Sequence, residues 1–349
     1  MPTISADVVV VVGGGPAGSA AAIECAGTGI SVALVEGAPF PRERPGETLH
    51  PGVEPLFERL GVSESVRAAG FLRHEGNWVE WGGPRRFEGF GADERGAWRG
   101  YQAGRARLDA LLLDRARESG VRVIQPCRAV CPLLDGARVR GVKTDAGEIV
   151  SSFLIDAAGG RHWLARRLGL GFVRRSPPLF ARYGYARGAC AARDEAPAVV
   201  AERGGWIWTA RVGADLYQWT RLSLDGGRPS RRPPAEFDGL EPCGPSRGAD
   251  VTWRAASRPA GPGYFLVGDA AAVLDPASSH GVLKAMMTGM MAARSIRLAI
   301  GGADERHVAE SYCRWVHDWF EHDVSKLRQL YALIERPAGE ASPRAADVA

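Results

Sequence analysis

Residues 8–36, VVVVVGGGPAGSAAAIECAGTGISVALVE, decide the fold. The stretch opens with a run of valines, which is typical of a parallel strand buried on both faces. Residues 13–18 then follow the pattern G-x-G-x-x-G, and the alanine-rich residues after them predict a helix. A second apolar run, residues 32–35, ends at Glu36. This order of features predicts a dinucleotide-binding unit: a strand, a glycine turn, a helix, a second strand, and an acid about 20 residues after the turn.

Each glycine of the turn has a mechanical role in such a unit. Gly13 permits the tight turn, Gly15 lets the backbone approach a pyrophosphate, and Gly18 lets the helix lie close to the strand. The free N–H groups at the start of the helix then face the phosphates, and Glu36 can bind a ribose 2′-hydroxyl while repelling a 2′-phosphate. The cofactor-binding residues predicted here are Gly13, Gly15, Pro16, Ala17, Gly18 and Glu36.

Composition bounds the other possibilities. The 349 residues, 45% of them apolar, can form one large or two closely joined domains. The net charge of +4 is carried almost wholly by arginine without a basic block, so no nucleic-acid partner is expected. Six cysteines lack metal-site spacing, which predicts reduced thiols in the cytoplasm and no metal. Neither a signal peptide nor an apolar stretch of about 18 residues is visible, so no membrane span is expected.

The extended spacing of the N-terminal motif resembles the FAD fingerprint of a large flavoprotein family. That family includes p-hydroxybenzoate hydroxylase, the tryptophan halogenases and the geranylgeranyl reductases. The resemblance implies FAD as cofactor and an α/β fold: a Rossmann-like FAD-binding domain with an inserted, mostly antiparallel β-sheet substrate domain and a C-terminal helix. The spacing that carries it comprises Gly13, Gly15, Gly18, Ala22, Gly29, Val32 and Glu36.

Residues 264–285, YFLVGDAAAVLDPASSHGVLKA, strengthen the resemblance. A strand delivers Gly268-Asp269, a short loop follows, and a long helix is predicted to start near Gly281. Asp269 can accept hydrogen bonds from ribityl hydroxyls, while the helix N-terminus suits the negative charge of a reduced flavin. The cofactor-binding residues predicted from this stretch are Gly268, Asp269, Pro276, Ser279, His280 and Gly281.

Three further segments gain a role through the resemblance. In the loop at residues 37–48, the family's arginine followed by Gly-Glu lies along the flavin, which implicates Arg44, Gly46 and Glu47. Arg105 fits the family feature R-x-x-L-D near the flavin and ribityl chain. The strand around Val130 is expected to offer its backbone to the adenine edge.

Candidate substrate residues follow from a comparison with the halogenases. Those enzymes keep a lysine near position 74 that relays an oxidised halogen, whereas this chain has no lysine before Lys143 and has His74 there. This difference argues against halogenation. Trp206 and Trp208 share one face of a predicted strand and resemble half of the halogenase signature Trp-x-Trp-x-Ile-Pro. They are either core residues or, with His74, substrate contacts.

The expected domains are discontinuous. Residues 1–75, 100–170 and 255–300 form the FAD domain, residues 76–99 and 171–254 the substrate domain, residues 301–335 a C-terminal helical segment, and residues 336–349 a disordered tail. The second flavin segment, Asp156-Ala157-Ala158-Gly159, is a softened form of the hydroxylases' Asp-Gly. No second G-x-G-x-x-G occurs in strand context, so no dedicated nicotinamide domain is expected. The electron donor is left open between NAD(P)H itself and a separate flavin reductase.

The function predicted is an FAD-dependent oxidoreductase, in first place a monooxygenase that hydroxylates an aromatic substrate. Glu47 and His280 are the predicted catalytic residues, because they converge on the flavin from two loops. The substrate is a small aromatic molecule or a peptidyl tryptophan of a client protein, as in the LodB and GoxB type flavoproteins of tryptophylquinone maturation. The alternatives are a flavin-dependent halogenase, an alkene reductase like the geranylgeranyl reductases, and a non-catalytic, flavin-containing assembly partner.

Overall fold

A computed structural model of the chain describes residues 3–202 and 204–334, so the predicted disordered tail lies outside the described residues. The helices are α1 (Pro16–Ala26), α2 (Glu54–Leu60), α3 (Ser63–Ala68), α4 (Arg105–Glu118), α5 (Trp163–Arg167), α6 (Gly281–Ile300) and α7 (Glu305–Ala332). Short 3-10 helices cover Pro51–Val53, Ala191–Arg193, Ala235–Phe237, Gly268–Ala270 and Pro276–Ser278.

The first sheet is built around the valine run. Its strand Thr3–Val12 pairs in parallel with Val32–Val35 on one side and with Gly147–Asp156 on the other. Val9, Val10 and Val11 are fully buried between these neighbours, which explains their unbroken apolar sequence. The order across the sheet is Arg122–Ile124, Val32–Val35, Thr3–Val12, Gly147–Asp156, Arg138–Thr144 and Ala129–Asp135, with Tyr264–Leu266 and Ala260–Gly261 attached beside Gly147–Asp156.

The second large sheet is mostly antiparallel, as the alternating apolar pattern predicts. One pairing is parallel, between Ala198–Glu202 and Gly76–Glu80, and it joins the early segment to the later one. The order across this sheet is Glu241–Pro242, Phe180–Arg187, Leu216–Ser223, Gly205–Arg211, Ala198–Glu202, Gly76–Glu80 and Arg86–Gly89, with Arg247–Asp250 also paired to Phe180–Arg187.

Three small sheets complete the framework. The first consists of Thr48–Leu49, Gly100–Gln102 and Leu72–His74, the second of Phe172–Arg174, Arg254–Ala256 and Ala272–Val273, and the third of Ala92–Asp93 and Gly96–Ala97. Within the described residues no cysteine forms a disulfide. Nor does any described helix combine the length and apolarity needed to cross a membrane.

The last helix, α7, packs on both large sheets. Val308 and Tyr312 in its first half are buried in the core around the parallel sheet. Phe320, Val324 and Leu327 in its second half are buried against the antiparallel sheet. The helix is 28 residues long, which is about 42 Å at ~1.5 Å per residue, and this length lets it span both cores.

Candidate functional site

Two glycines of the motif at the start of α1, Gly13 and Gly18, have no room for a side chain. A Cβ on Gly18 would lie 1.9 Å from the carbonyl oxygen of Gly13, and a Cβ on Gly13 would lie 2.4 Å from the carbonyl oxygen of Ala157. Gly13 also has a φ of +108°, which glycine adopts without strain. Within 4 Å, the described atom that a Cβ on Gly15 would meet belongs to the guanidinium of Arg42. The backbone therefore lies open at the start of α1, as a pyrophosphate site requires.

Glu36 holds this turn in place. Its Oε2 accepts a hydrogen bond from the Gly14 amide at 2.8 Å, and its Oε1 accepts one from the Ala38 amide at 2.8 Å. Each carboxylate oxygen keeps a second lone pair, so a ribose hydroxyl can still bind. Val130, by contrast, lies on an edge strand with 41% of its surface exposed, and its contact with adenine stays a prediction.

Arg42 is a site residue that the sequence did not reveal. Its Nη2 lies 3.8 Å from Glu36 and 3.6 Å from Asp109, and its buried Nε has no hydrogen-bond partner among the described residues. Burial lowers the pKa of Arg42 despite these acids. A guanidinium above Gly15 with an unused donor fits a phosphate oxygen. Arg44, which the sequence favoured, is exposed. The family pattern points to an arginine in this loop, and only the structure shows which one faces the groove.

Arg105 lies at the centre of the site. It is the first residue of α4, and its Nε and Nη2 donate to the two oxygens of the fully buried Asp109 at 2.8 and 3.2 Å. Its Nη1 donates to the carbonyl oxygen of Pro45 at 2.9 Å and lies 3.2 Å from where a Cβ on Gly46 would be. The R-x-x-L-D feature thus fastens the loop that carries Gly46 to α4, and the φ of +103° at Gly46 favours glycine there.

Glu47 ties its loop to the antiparallel sheet. The hydroxyl of Tyr185, from the antiparallel sheet, donates to its Oε1, while the Gly46 amide donates to its Oε2 at 2.8 Å. Burial raises the pKa of Glu47, and these two hydrogen bonds oppose that shift. Tyr185 was missed in the sequence because nothing distinguishes it from the other aromatic residues of its strand.

Gly268 and Asp269 lie beside α1 and α6. The Gly268 amide donates to Thr288 Oγ1 of α6 at 2.8 Å, and a Cβ on Gly268 would lie 3.0 Å from the Cβ of Ala17 in α1. Pro16 and Ala17 themselves are buried at the start of α1. Asp269 is exposed, and it is close enough to Arg105 for their charges to attract. The two helices therefore meet at Gly268, beside an accessible carboxylate.

The start of α6 is open. A Cβ on Gly281, its first residue, would find no described heavy atom within 4 Å outside its chain neighbours. Ser279, exposed with a φ of +56°, turns the chain into the helix, and Pro276 is exposed in the preceding 3-10 helix. These residues leave the N-terminal amides of α6 free to face an anion.

Three histidines and one phenylalanine cluster beside this helix start. The ring of His50 lies 5.2 Å from that of His280 and 5.3 Å from that of Phe90, and the ring of His74 lies 5.3 Å from that of Phe90, all between centroids. The sequence had indicated His74 and His280 separately. His50 lies shortly after Glu47 in the chain, and its ring contacts those of His280 and Phe90. No local sequence motif predicts this tertiary contact.

The hydrogen bonds of the cluster fix two of its tautomers. His50 Nδ1 accepts from the Gly52 amide at 3.0 Å, so its Nε2 carries the proton. His74 Nδ1 lies 3.1 Å from the carbonyl oxygen of Gly76 and must donate, which leaves the buried His74 Nε2 as an acceptor without a partner among the described residues. Burial lowers the pKa of His50 to about 4 and also lowers the pKa of His74 and of His280. All three imidazoles are therefore neutral at pH near 7.

Of the two environments expected for Trp206, the structure shows the core and not a substrate surface. Trp206 is 1% exposed, and its indole N–H donates to the hydroxyl of Tyr331 in α7 at 2.9 Å. Trp208 packs at the edge of the same core. Their shared strand face is turned towards α7, because this helix needs an apolar surface on which to bury its second half.

The residues brought together fit FAD. Four features make this fit: the open glycine turn, the unused donor of Arg42, the accessible Asp269 and the open start of α6. Each matches a different chemical part of that cofactor, from pyrophosphate to ribityl chain and flavin. Across residues 3–202 and 204–334, no group of three His, Cys, Asp or Glu side chains is arranged to hold a metal ion.

Comparisons with known proteins agree with this geometry. The FAD binding domain family model matches residues 5–179. Tryptophan 2-halogenase of Chondromyces crocatus is 32% identical over 88% of this chain and 64% of its own length, so the chain spans less than two thirds of that relative. Menaquinone reductase of Mycobacterium tuberculosis is 30% identical over 95% of this chain and 85% of its own length. The solved structure of a myxobacterial chondrochloren halogenase aligns with a TM-score of 0.86 at 24% identity, covering 96% of this chain and 84% of that one.

These matches confirm the predicted α/β fold, the cofactor FAD and the likeness to tryptophan halogenases. The comparison with the LodB and GoxB type flavoproteins stays a prediction, as do the domain boundaries. The chain belongs to the FAD binding domain family and is an FAD-dependent oxidoreductase.

Proposed function

We propose that this chain is a monooxygenase that hydroxylates an aromatic ring. The observation that supports this is the cluster of neutral imidazoles around Phe90 at the start of α6. Bound FAD, once reduced, supplies the chemistry by activating O₂ and transferring one oxygen atom to an electron-rich ring. The chain itself has to hold that ring, exclude water and move a proton.

His74 is suited to bind the substrate. Its Nε2 is buried, has no hydrogen-bond partner of good distance and angle among the described residues, and lies against the backbone of Gly100. A phenol O–H or an indole N–H would satisfy it, and such a hydrogen bond increases the electron density of the ring. Phe90 lies against the same imidazole and offers an apolar surface for an edge-to-face contact.

His280 is suited to accept a proton. Oxygen transfer to an aromatic carbon requires that carbon to lose its hydrogen, and a neutral imidazole near the ring is an effective base. Its neighbour His50 is held with Nε2–H as a donor, so it can orient His280 but cannot itself accept at that nitrogen. Glu47 and Tyr185 fix the loop that leads to His50, because their hydrogen bond ties that loop to the antiparallel sheet.

Halogenation is the second candidate, favoured by the similarity to tryptophan 2-halogenase. A halogenase of this kind needs a lysine with a free amine near the substrate. The lysine near this cluster is Lys284, which lies 3.5 Å from Asp323 and 4.8 Å from the ring centre of Trp319. The Lys284 amine is thus already held by a carboxylate and an indole ring. His74 stands where the resemblance expects the lysine, and we therefore place hydroxylation first.

The test uses reduced holoenzyme, isotopically heavy O₂, and chloride and bromide in the buffer. Free tryptophan, a phenol and a tryptophan-containing client peptide serve as separate substrates, and the products are weighed by mass spectrometry. A hydroxylated product carrying heavy oxygen supports the proposal, and the substrate that yields it decides between a free aromatic compound and a protein-borne tryptophan. A brominated or chlorinated product without heavy oxygen overturns it in favour of halogenation.

Variants connect the product to the site. His280→Ala and Glu47→Gln are expected to keep FAD, measured by absorbance, and to lose most of the product. His307→Ala, an exposed histidine at the start of α7, is the matched control and should keep both. Full product from both site variants at unchanged FAD content would show that neither residue is catalytic.

A further inference from the structure

Arg182 is a buried cation without an anionic partner among the described residues. It lies in the strand Phe180–Arg187 and is 9% exposed. Its Nε donates to the carbonyl oxygen of Pro229 at 3.1 Å, and its Nη1 lies 3.4 Å from Ser246 Oγ. In the part of the chain that the structure describes, no ion pair within 4 Å involves this arginine. Neutral acceptors therefore supply all of its described contacts.

Other buried arginines of this chain are paired with acids. Arg193 forms two hydrogen bonds with Glu236, at 2.5 and 2.7 Å, and Arg254 lies 3.2 Å from Asp250. Burying a charge without a counterion is unfavourable, because the lost hydration is not replaced by an ionic attraction. An anion supplied by a ligand would remove this cost at Arg182.

The surroundings of Arg182 add further positive charge. Arg221 lies directly opposite on the neighbouring strand, hence on the same face of the sheet, and is paired with Glu202 at 3.4 Å. Arg228 lies on the loop that covers Arg182, is exposed, and takes part in none of the ion pairs among the described residues. Arg182 and Arg228, neither of which forms an ion pair among the described residues, therefore line the same cavity.

A cavity of about 300 Å³ separates these two arginines. Phe180, Pro229 and Gly248 form other parts of its wall, and Asp250 also lines it. The carboxylate of Asp250 would repel an anion, but its pairing with Arg254 offsets this charge. The volume is at the lower end of the range for small-molecule sites.

This cavity is separate from the FAD site. Side chains alternate between the two faces of a strand, so Arg182 and Tyr185, three positions apart, point to opposite faces. Tyr185 reaches Glu47 on the FAD side. Arg182 thus lies on the outer face of the antiparallel sheet, under the loop that contains Arg228 and Pro229.

We propose that the cavity between Arg182 and Arg228 binds the phosphate group of a small phosphomonoester. Guanidinium groups match the oxygen geometry of phosphate and can each donate two hydrogen bonds to it. The two positive charges also balance the two negative charges of a phosphomonoester near neutral pH. The cavity opens at exposed Arg228 and Gly248, so the remainder of the ligand can extend into solvent.

The test is a thermal-stability titration of the FAD-loaded holoenzyme, in which the pyrophosphate site is already filled. Inorganic phosphate and phenyl phosphate are the probes, and sodium chloride keeps the ionic strength constant. A ligand bound only by the native state raises its melting temperature with a saturable dose response. We expect this rise in the wild type and in Arg231→Ala, a control on the same loop outside the cavity.

The rise should be lost in Arg228→Ala and in Arg182→Gln. Since Arg228 is exposed, its variant folds and keeps the test decisive even if Arg182→Gln does not fold. A response to phenyl phosphate as well as to phosphate shows that the cavity admits an ester, whereas a response to neither overturns the proposal. An equal response in the wild type and Arg228→Ala also overturns it, because the phosphate would then bind elsewhere.

Discussion

Replacing Arg105 by Met tests whether the ion pair with Asp109 supports the cofactor site. The Asp109 side chain is 0% exposed and the Arg105 side chain 12% exposed, so the substitution leaves a buried carboxylate without its two main donors. Removing one partner of a buried pair typically costs about 3–5 kcal/mol. Arg42, 3.6 Å from Asp109, supplies part of the missing charge, so we expect a loss of about 3 kcal/mol in the free energy of unfolding. This loss corresponds to more than about a hundredfold in the folding equilibrium.

The assay is urea unfolding of the FAD-free protein, followed by FAD titration under native conditions. FAD affinity should fall as well, since Arg105 also holds the carbonyl of Pro45 beside Gly46. Arg107→Met, an exposed arginine two residues along α4, is the matched control. The double variant Arg105→Met/Asp109→Leu should regain most of the stability but not the FAD affinity. A loss below about 1 kcal/mol in the single variant, as for an exposed pair, would refute the reasoning.

Three further substitutions have expected outcomes. Gly18→Ala should weaken FAD binding by more than about tenfold in a fluorescence titration, because its Cβ would lie 1.9 Å from a carbonyl oxygen. Gly104→Ala is the control, since its Cβ would have open space, and it should bind FAD as the wild type does. Equal FAD affinities of the two variants would contradict this prediction. Burial raises the pKa of Asp275 to about 6, whereas an aspartate in the unfolded chain has a pKa of about 3.9. Between these two pH values the folded state binds more protons than the unfolded state, so the free energy of unfolding falls as the pH rises from about 4 to about 6. In Asp275→Asn, a plot of melting temperature against pH should no longer show this fall. The same slope in the variant and the wild type would contradict a raised pKa for Asp275. Trp206→Phe should lower the free energy of unfolding by about 1–3 kcal/mol without changing KM, whereas a changed KM at full stability would restore a substrate role.

The sequence correctly predicted those features whose position depends only on neighbouring residues. The glycine turn, Glu36 at the end of its strand, and Gly281 at the start of α6 all lie where their motifs predict. Each position is fixed by backbone space or by helix geometry, which adjacent residues determine. The family resemblance likewise implied the mostly antiparallel second sheet.

Tertiary contacts decided the remainder. Arg42 and Arg44 are equivalent in sequence, and only the path of the loop turns Arg42 towards Asp109 and leaves Arg44 exposed. His50 and Tyr185 joined the site through contacts with His280 and Glu47 from distant parts of the chain. Trp206 had two possible environments on its strand, and the position of α7, which no residue near Trp206 encodes, selected the core.

The most direct test of the central claim is a crystal structure of the chain with FAD bound. We expect the pyrophosphate at the start of α1, with the Arg42 guanidinium within hydrogen-bonding distance. We expect the flavin ring between Glu47 and the start of α6, facing the cluster of His50, His74 and His280. A pyrophosphate without contact to Arg42, or a flavin ring separated from the three histidines by protein, would contradict the central claim.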